Sequence, residues 1–418
     1  MEHRPSLEGF FSTRRRPTVG AADMTDVILL GGWISPPGLS ASPIERREAT
    51  AIADSLGDGP GSQSRCFDPA DAVCRLIERG RHETDSFWRT RYVPAGRGRV
   101  RALAGSGDRA PATDQILSLP DRRFTIHFRR TFELSPLPGA GRRRLRLPRP
   151  VEDSQLRDLG ITLDPLPPNV EARVFADRIE ARVADGVGGA VTVGVRFAFI
   201  AAPGRPSPDP IADVPAGLFL KEAEGAVQVT AAVRELASRL AGPSVQGLRA
   251  LRAFWDYMMD EMTCGPIPHD RIGGSAHIDW TIGARWFDCH LGTALLVALC
   301  RAKGIAARML GGYLLYESAP MEHYWMEAMI EGRWIPIDLL CWDLSAGGAD
   351  PAWRDLFFGA TDYRMKTQRF PDHFTGPLGI PFPPEWHRFS RPTADGVETD
   401  TVEIPTGRLV MRDSISVG

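Results

Sequence analysis

The chain has 418 residues, 43% of them hydrophobic, and a formal net charge of -2. This is too long for one ordinary domain and too evenly charged to be drawn as a whole to nucleic acid or an anionic membrane. No apolar run approaches the roughly 20 residues that a bilayer span needs.

Only Lys221, Lys303 and Lys366 among the 50 basic residues are lysines, and with 42 Gly and 35 Pro the composition suggests a GC-rich bacterial genome. The six cysteines (Cys66, Cys74, Cys264, Cys289, Cys300, Cys341) form no C-x-x-C pair. That argues against a zinc ribbon, a redox motif or a disulfide scaffold. The basic N-terminus is not followed by an apolar h-region. The expectation is a cytoplasmic protein with free thiols.

In chain order, residues 1–23 read as a flexible tail whose Arg14–Arg16 run is solvated charge. Residues 24–115 are a region of unknown role, with helical spacing at Ala70, Val73, Cys74, Leu76 and Ile77. From 116 to 208 the period becomes two. Phe124, Ile126 and Phe128 alternate with polar residues, as do Val170, Ala172 and Val174, then Ile179, Ala181 and Val183, then Val191 through Phe199. Alternation with Pro and Gly breaks predicts a small all-β, sandwich-like domain. Arg142–Arg144 and Arg146 beside Leu145 and Leu147 read as an outward basic strand face. Residues 201–215 have linker composition.

A core is expected over 209–390. The sequence predicts a helix through Val227, Val229, Val233, Leu236 and Leu240 that stops at Gly242, and a second helix over 244–262. A loop follows, and then an almost wholly apolar helix from Cys289. Asp288 is its expected N-cap and Gly304 its stop, with Arg301 and Lys303 suited to the C-terminal dipole. Such a helix is buried. Its N-terminus favours a thiolate at Cys289, although cysteine is also among the most often buried residue types, so the helix alone leaves both readings open. Residues 370–387 read as irregular chain on the surface and 391–418 as a C-terminal extension.

Residues 322–343 read as a hairpin turning at Glu331-Gly332. With a two-residue loop, Asp338 faces Trp325, and His323 and Asp338 become diagonal neighbours on one face. A carboxylate that orients a histidine is what a Cys-His nucleophile requires. Cys289, His323 and Asp338 are therefore the candidate catalytic residues.

The stretches "CHLGTALLVALCRAKGIAARMLGGY" and "HYWMEAMIEGRWIPID" resemble the transglutaminase-like superfamily, whose core is a papain-type Cys-His-Asp fold. The residues carrying the resemblance are Arg301, Gly304, Ile305, Arg308, Gly312, Tyr313, His323, Trp325, Glu327, Trp334, Pro336 and Asp338. Phe287 stands where the family commonly has Gly. The resemblance implies an α+β fold: a transglutaminase-like core with a buried cysteine-bearing helix on an antiparallel sheet, preceded by the β-domain.

It also implies acyl transfer through a thioester from an amide or thioester donor, carrier-bound or free, to an amine. The alternatives are a cysteine amidase or peptidase using water and a non-catalytic binding module. The backbone N–H of Cys289 and an upstream aromatic, Trp280 or Trp286, are the oxyanion candidates. Tyr324 and Trp325 join these two as aromatics that could wall off the substrate. No motif calls for a metal or cofactor.

Overall fold

The computed structural model describes residues 113–134, 143–208, 217–264, 272, 277–316, 320–345, 348, 350–370, 388–392, 398–404 and 407–418. The expected tail, the helical spacing at 70–77, Cys66 and Cys74, and the irregular segment 371–387 lie outside these residues.

A short helix, α1 (Thr113–Leu117), leads into β1 (Arg122–Glu133), β2 (Arg143–Leu147), β3 (Leu156–Leu163), β4 (Val170–Val174), β5 (Ile179–Val183) and β6 (Ala190–Ala201). The alternation seen in the sequence is the burial pattern: Phe124, Ile126, Phe128 and Phe132 of β1 point inward, as do Val191, Val193, Val195, Phe197 and Phe199 of β6. β1 and β6 pair antiparallel over their whole length, Arg122 opposite Ala201 and Glu133 opposite Ala190. A three-stranded sheet, β2-β5-β4, packs Leu145, Leu147, Ile179 and Val183 against the phenylalanines of the larger sheet.

The chain then crosses over. Ser207–Pro208, inside the stretch of linker composition, is a two-residue strand, β7. Past a 3-10 turn at Leu218–Leu220, β8 (Ala223–Glu224) and β9 (Val227–Gln228) form a minimal hairpin. The first core helix, α2 (Ala231–Leu240), therefore starts later than its apolar stripe suggests. Val227 is spent on the hairpin, and the Thr230 hydroxyl caps the helix by accepting from the Val233 amide at 3.2 Å.

There follow α3 (Gly247–Asp260), β10 (Thr263–Cys264), α4 (His277–Ala284), β11 (Trp286–Phe287) and α5 (Cys289–Ala302). Helix α4 stands where a loop was expected. It has eight residues, too few for a stripe to show in the sequence. β12 (Ala307–Leu314), β13 (Met321–Ile330), β14 (Arg333–Ile337), α6 (Leu340–Leu344), α7 (Pro351–Arg354) and β15 (Arg364–Arg369) complete the core, with the sheet order β15-β12-β13-β14-β7. Helix α5 lies on β12 and β13 with α2, α3 and α4 around it, and every residue from Leu291 to Arg301 is buried. This is the expected α+β architecture.

The C-terminal segment returns to the β-domain. β16 (Arg388–Pro392), β17 (Glu398–Ile404) and β18 (Gly407–Val417) extend its large sheet to the order β16-β17-β18-β1-β6-β3, with Ile126 opposite Val417. Asp413 of β18 also pins the two halves together. Both its oxygens accept from Arg130 at 2.7 Å, and Oδ2 accepts from the Tyr313 hydroxyl of β12 at 3.2 Å. The Tyr313 ring meets Phe128 edge-on, with centroids 5.9 Å apart. Lys366 of β15 makes a second tie, pairing with Asp153 in the β2–β3 connection.

Candidate active site

Asp288 has extended backbone, and its carboxylate accepts from the Leu291 amide at 2.7 Å, so it is the N-cap and Cys289 is the first helical residue. Gly304, at φ +71, ends the turn after α5. Arg301 stands in the last turn, as expected, and does more than suit the dipole. It is buried and donates to the Ala307 carbonyl at 2.8 and 3.0 Å and to the Lys221 carbonyl at 2.9 Å, fastening the helix end to the next strand.

The first turn of α5 is docked on β13. The His290 ring lies 4.6 Å from that of Tyr324, and the Thr293 hydroxyl donates to the Tyr324 carbonyl at 3.3 Å. A Cβ at Gly292 would sit 2.3 Å from the ring of Phe287 and 3.0 Å from Leu339. Gly292 thus makes room for the bulky Phe287 that this chain carries where the family commonly has Gly.

The hairpin has the expected register. Glu331 and Gly332, at φ +51 and +76, form a turn with both residues left-handed, which suits strand twist. Met326 lies opposite Ile337 and Ile330 opposite Arg333. His323 and Asp338 meet: Nε2 of the imidazole is 2.8 Å from Oδ1 of the carboxylate, and their side chains are 1% and 0% exposed. An ionised carboxylate only accepts, so Nε2 donates. In the neutral ring Nδ1 is then the basic nitrogen. Nδ1 is buried and has no hydrogen-bond partner. The structure brings His323 and Asp338 together and sets the Cys289 turn against the adjoining Tyr324, but makes no hydrogen bond from Nδ1 to the thiol. Contacts of this kind often tighten only when substrate is bound.

Asp338 is also held from its other side. Oδ1 accepts from the Leu340 amide at 2.8 Å, and Oδ2 accepts from Nη1 of Arg364. Burial acts to raise its pKa, but Arg364, His323 and the Leu340 amide together hold the carboxyl below the usual range. Arg364 reaches further, donating from Nη2 to Asp362 at 2.9 Å, while the Tyr316 hydroxyl donates to the second oxygen of Asp362 at 3.0 Å. Burial pushes Asp362 up and the Tyr316 phenol well up. Sequence reasoning missed Arg364, Asp362 and Tyr316. The segment "TDYR" has no motif, and only the pairing of β15 beside β12 brings it to the site.

The aromatic candidates separate. Trp325 lies nearly parallel to the His323 ring, 6.5 Å away at 11°, and the Arg364 guanidinium stands over the Trp325 ring, 5.3 Å from its centroid. Tyr324 packs on His290, and Trp286 is buried in β11, next to the cysteine helix. Trp280 in α4 is the half-buried member of the set. Of the remaining motif residues, Arg308 and Glu327 form a buried pair, with Nε and Nη2 at 2.7 and 2.6 Å from Oε2. Among the described residues no cluster of three or more His, Cys, Asp or Glu is arranged to hold a metal ion.

Residues 234–339 match the family model of the transglutaminase-like superfamily. No curated protein shows significant similarity to the chain. Among solved structures, a candidate cysteine protease from Cytophaga hutchinsonii is 14% identical, covering 72% of this chain and 91% of that one with a TM-score of 0.44. The periplasmic domain of TgpA from Pseudomonas aeruginosa is 15% identical, covering 59% of this chain and 98% of that one with a TM-score of 0.29. The matched segment runs from α2 through the capped cysteine helix to the end of the His-Asp hairpin, and over these residues the chain is similar to the transglutaminase-like superfamily.

Proposed function

We propose that the protein is a cysteine-dependent acyl-transfer enzyme that works through a thioester on Cys289. The reading is carried by one observation: buried His323 has Nε2 fixed by Asp338 and Nδ1 left without a partner, on the strand that docks the first turn of the cysteine helix. His323 Nδ1 takes the thiol proton as the sulfur attacks an amide or thioester carbonyl. The same proton goes to the departing amine or thiol as the tetrahedral intermediate collapses. An acceptor amine then attacks the thioester, gives up a proton to Nδ1, and leaves as the new amide while the thiol is restored. The backbone N–H of Cys289 faces the developing oxyanion, with the Trp280 or Trp286 indole as second donor.

The preference for an amine over water rests on enclosure. Cys289 is 8% exposed and His323 1%, and a water-poor site favours aminolysis. The partners are thus an acyl donor and an amine, and the compartment we propose is the cytoplasm. The test is to acylate the protein with an activated thioester and follow products by mass with and without a panel of primary amines. New amide supports transfer. Free acid at every amine concentration makes the protein an amidase or peptidase. No adduct on Cys289 from any donor leaves a binding module.

A further inference from the structure

We infer that Arg364 is a positioning residue of this site, which shares the charge of Asp338 with His323 and so governs how readily the histidine serves as base. The inference rests on the catalytic roles proposed above. Arg364 comes from β15, two strands away from His323 in the sheet, and its side chain is 2% exposed. It donates to Oδ2 of Asp338, the oxygen that the imidazole does not use. Its guanidinium stands over the rings of Trp325 and Phe357, 5.3 and 5.1 Å from their centroids. Trp325 in turn lies along His323. The same cation therefore touches both the acid that orients the base and the ring that packs against it.

The far side of Arg364 is fixed as well, by Asp362 at 2.9 Å, itself held by Tyr316 at 3.0 Å. The charged and titratable groups around the Asp338–Arg364 pair are His323 on β13, Asp362 before β15, Tyr316 after β12 and Cys341 on α6. Among them the only cation besides Arg364 that can face Asp338 is the imidazolium of His323. Removing Arg364 leaves the buried carboxylate with the His323 imidazolium as the neighbouring cation that can offset its charge. The imidazolium is then favoured, and the base is lost at pH values where it should act. A merely structural arginine would lower activity equally at all pH values.

The experiment compares Arg364→Met and Arg364→Lys with the parent protein by two readouts. One is the pH profile of Cys289 acylation by a thioester. The other is an NMR titration of the His323 imidazole, which needs no turnover. The expected result is that Arg364→Met moves the imidazole midpoint and the acid limb of the rate up by about one to three pH units. Rate lost at neutral pH returns on the alkaline side, and Arg364→Lys shows a smaller shift of the same sign. An unmoved midpoint in both variants, with rates lowered alike at every pH, overturns the inference. If Arg364→Met does not fold, Arg364→Lys decides alone. If the parent protein forms no acyl-enzyme, the proposed function fails, and the titration still decides the role of Arg364.

Discussion

Glu327 stands four residues after His323, inside the segment that resembles the family motif, yet its surroundings give it a structural task. Oε2 takes both Arg308 donors, at 2.7 and 2.6 Å, and Oε1 faces Gln155 at 3.4 Å and Lys366 at 3.9 Å. Arg308 stands over Trp334, 4.0 Å from its centroid, and is 3% exposed. Glu327→Leu removes the anion and leaves the guanidinium buried, with Lys366 balanced by Asp153 alone. Breaking a buried pair from one side costs about 3–5 kcal/mol, a large share of the ~5–15 kcal/mol that stabilises a domain. Replacing both partners, Arg308→Met with Glu327→Leu, removes the stranded charge and should recover most of that loss. Urea unfolding measures it as the midpoint at unchanged slope. Glu327 is ~13 Å along the strand from His323, so the folded fraction of either variant should be acylated at the parental rate. A double variant no more stable than Glu327→Leu would refute the reasoning, as would a stable single variant that has lost acylation.

Gly292→Ala should destabilise by about 1–3 kcal/mol in thermal or urea unfolding, because the new methyl meets the Phe287 ring. That loss outweighs the roughly 1 kcal/mol an alanine usually brings to a helix, so a stabilised variant would contradict the packing. Asp338→Asn should cut acylation about 10²- to 10⁴-fold, measured as single-turnover adduct formation. It is a better probe than alanine, which would also strand Arg364. In brief labelling with iodoacetamide, Cys289 should react before Cys300, whose thiol burial pushes up to about 12, and before Cys341, also pushed well up by burial. Earlier labelling of either of those would count against an available nucleophile.

Acid stability has a defined sign. Asp153, despite burial, is held low chiefly by Lys366, and Asp338 by Arg364. Their contribution is complete above the ordinary carboxylate range and is lost as pH falls toward their own lower values. The unfolding midpoint should drop through the acid range, and less steeply in Asp338→Asn.

What the sequence makes legible follows from locality. The cap at Asp288, the stop at Gly304 and the turn at Glu331-Gly332 each act over a few residues. A two-residue turn also fixes which side chains face one another, so the sequence alone pairs His323 with Asp338. The β-domain strands show in their period because one face of each is buried. Arg364 could not be found this way. Its partners lie on β13 and just past β14, and no local pattern says that β15 pairs beside β12. The same holds for β18, whose partner β1 lies at the other end of the described chain. Helix α4 escaped for a third reason, being short and apolar without a distinct polar face.

The clasp between Arg130 and Asp413 joins residues 283 positions apart, so the order of synthesis matters to this protein. β18 covers the edge of β1 opposite β6, so that edge gains its native partner only after the whole core has been made. Such an edge invites pairing with other chains, and a closure this distant is slow to form. Shortening the chain before Gly407 would make that waiting state permanent. It would remove the Asp413 contacts to Arg130 and to Tyr313 on the strand that runs beside His323, from a point far outside the site.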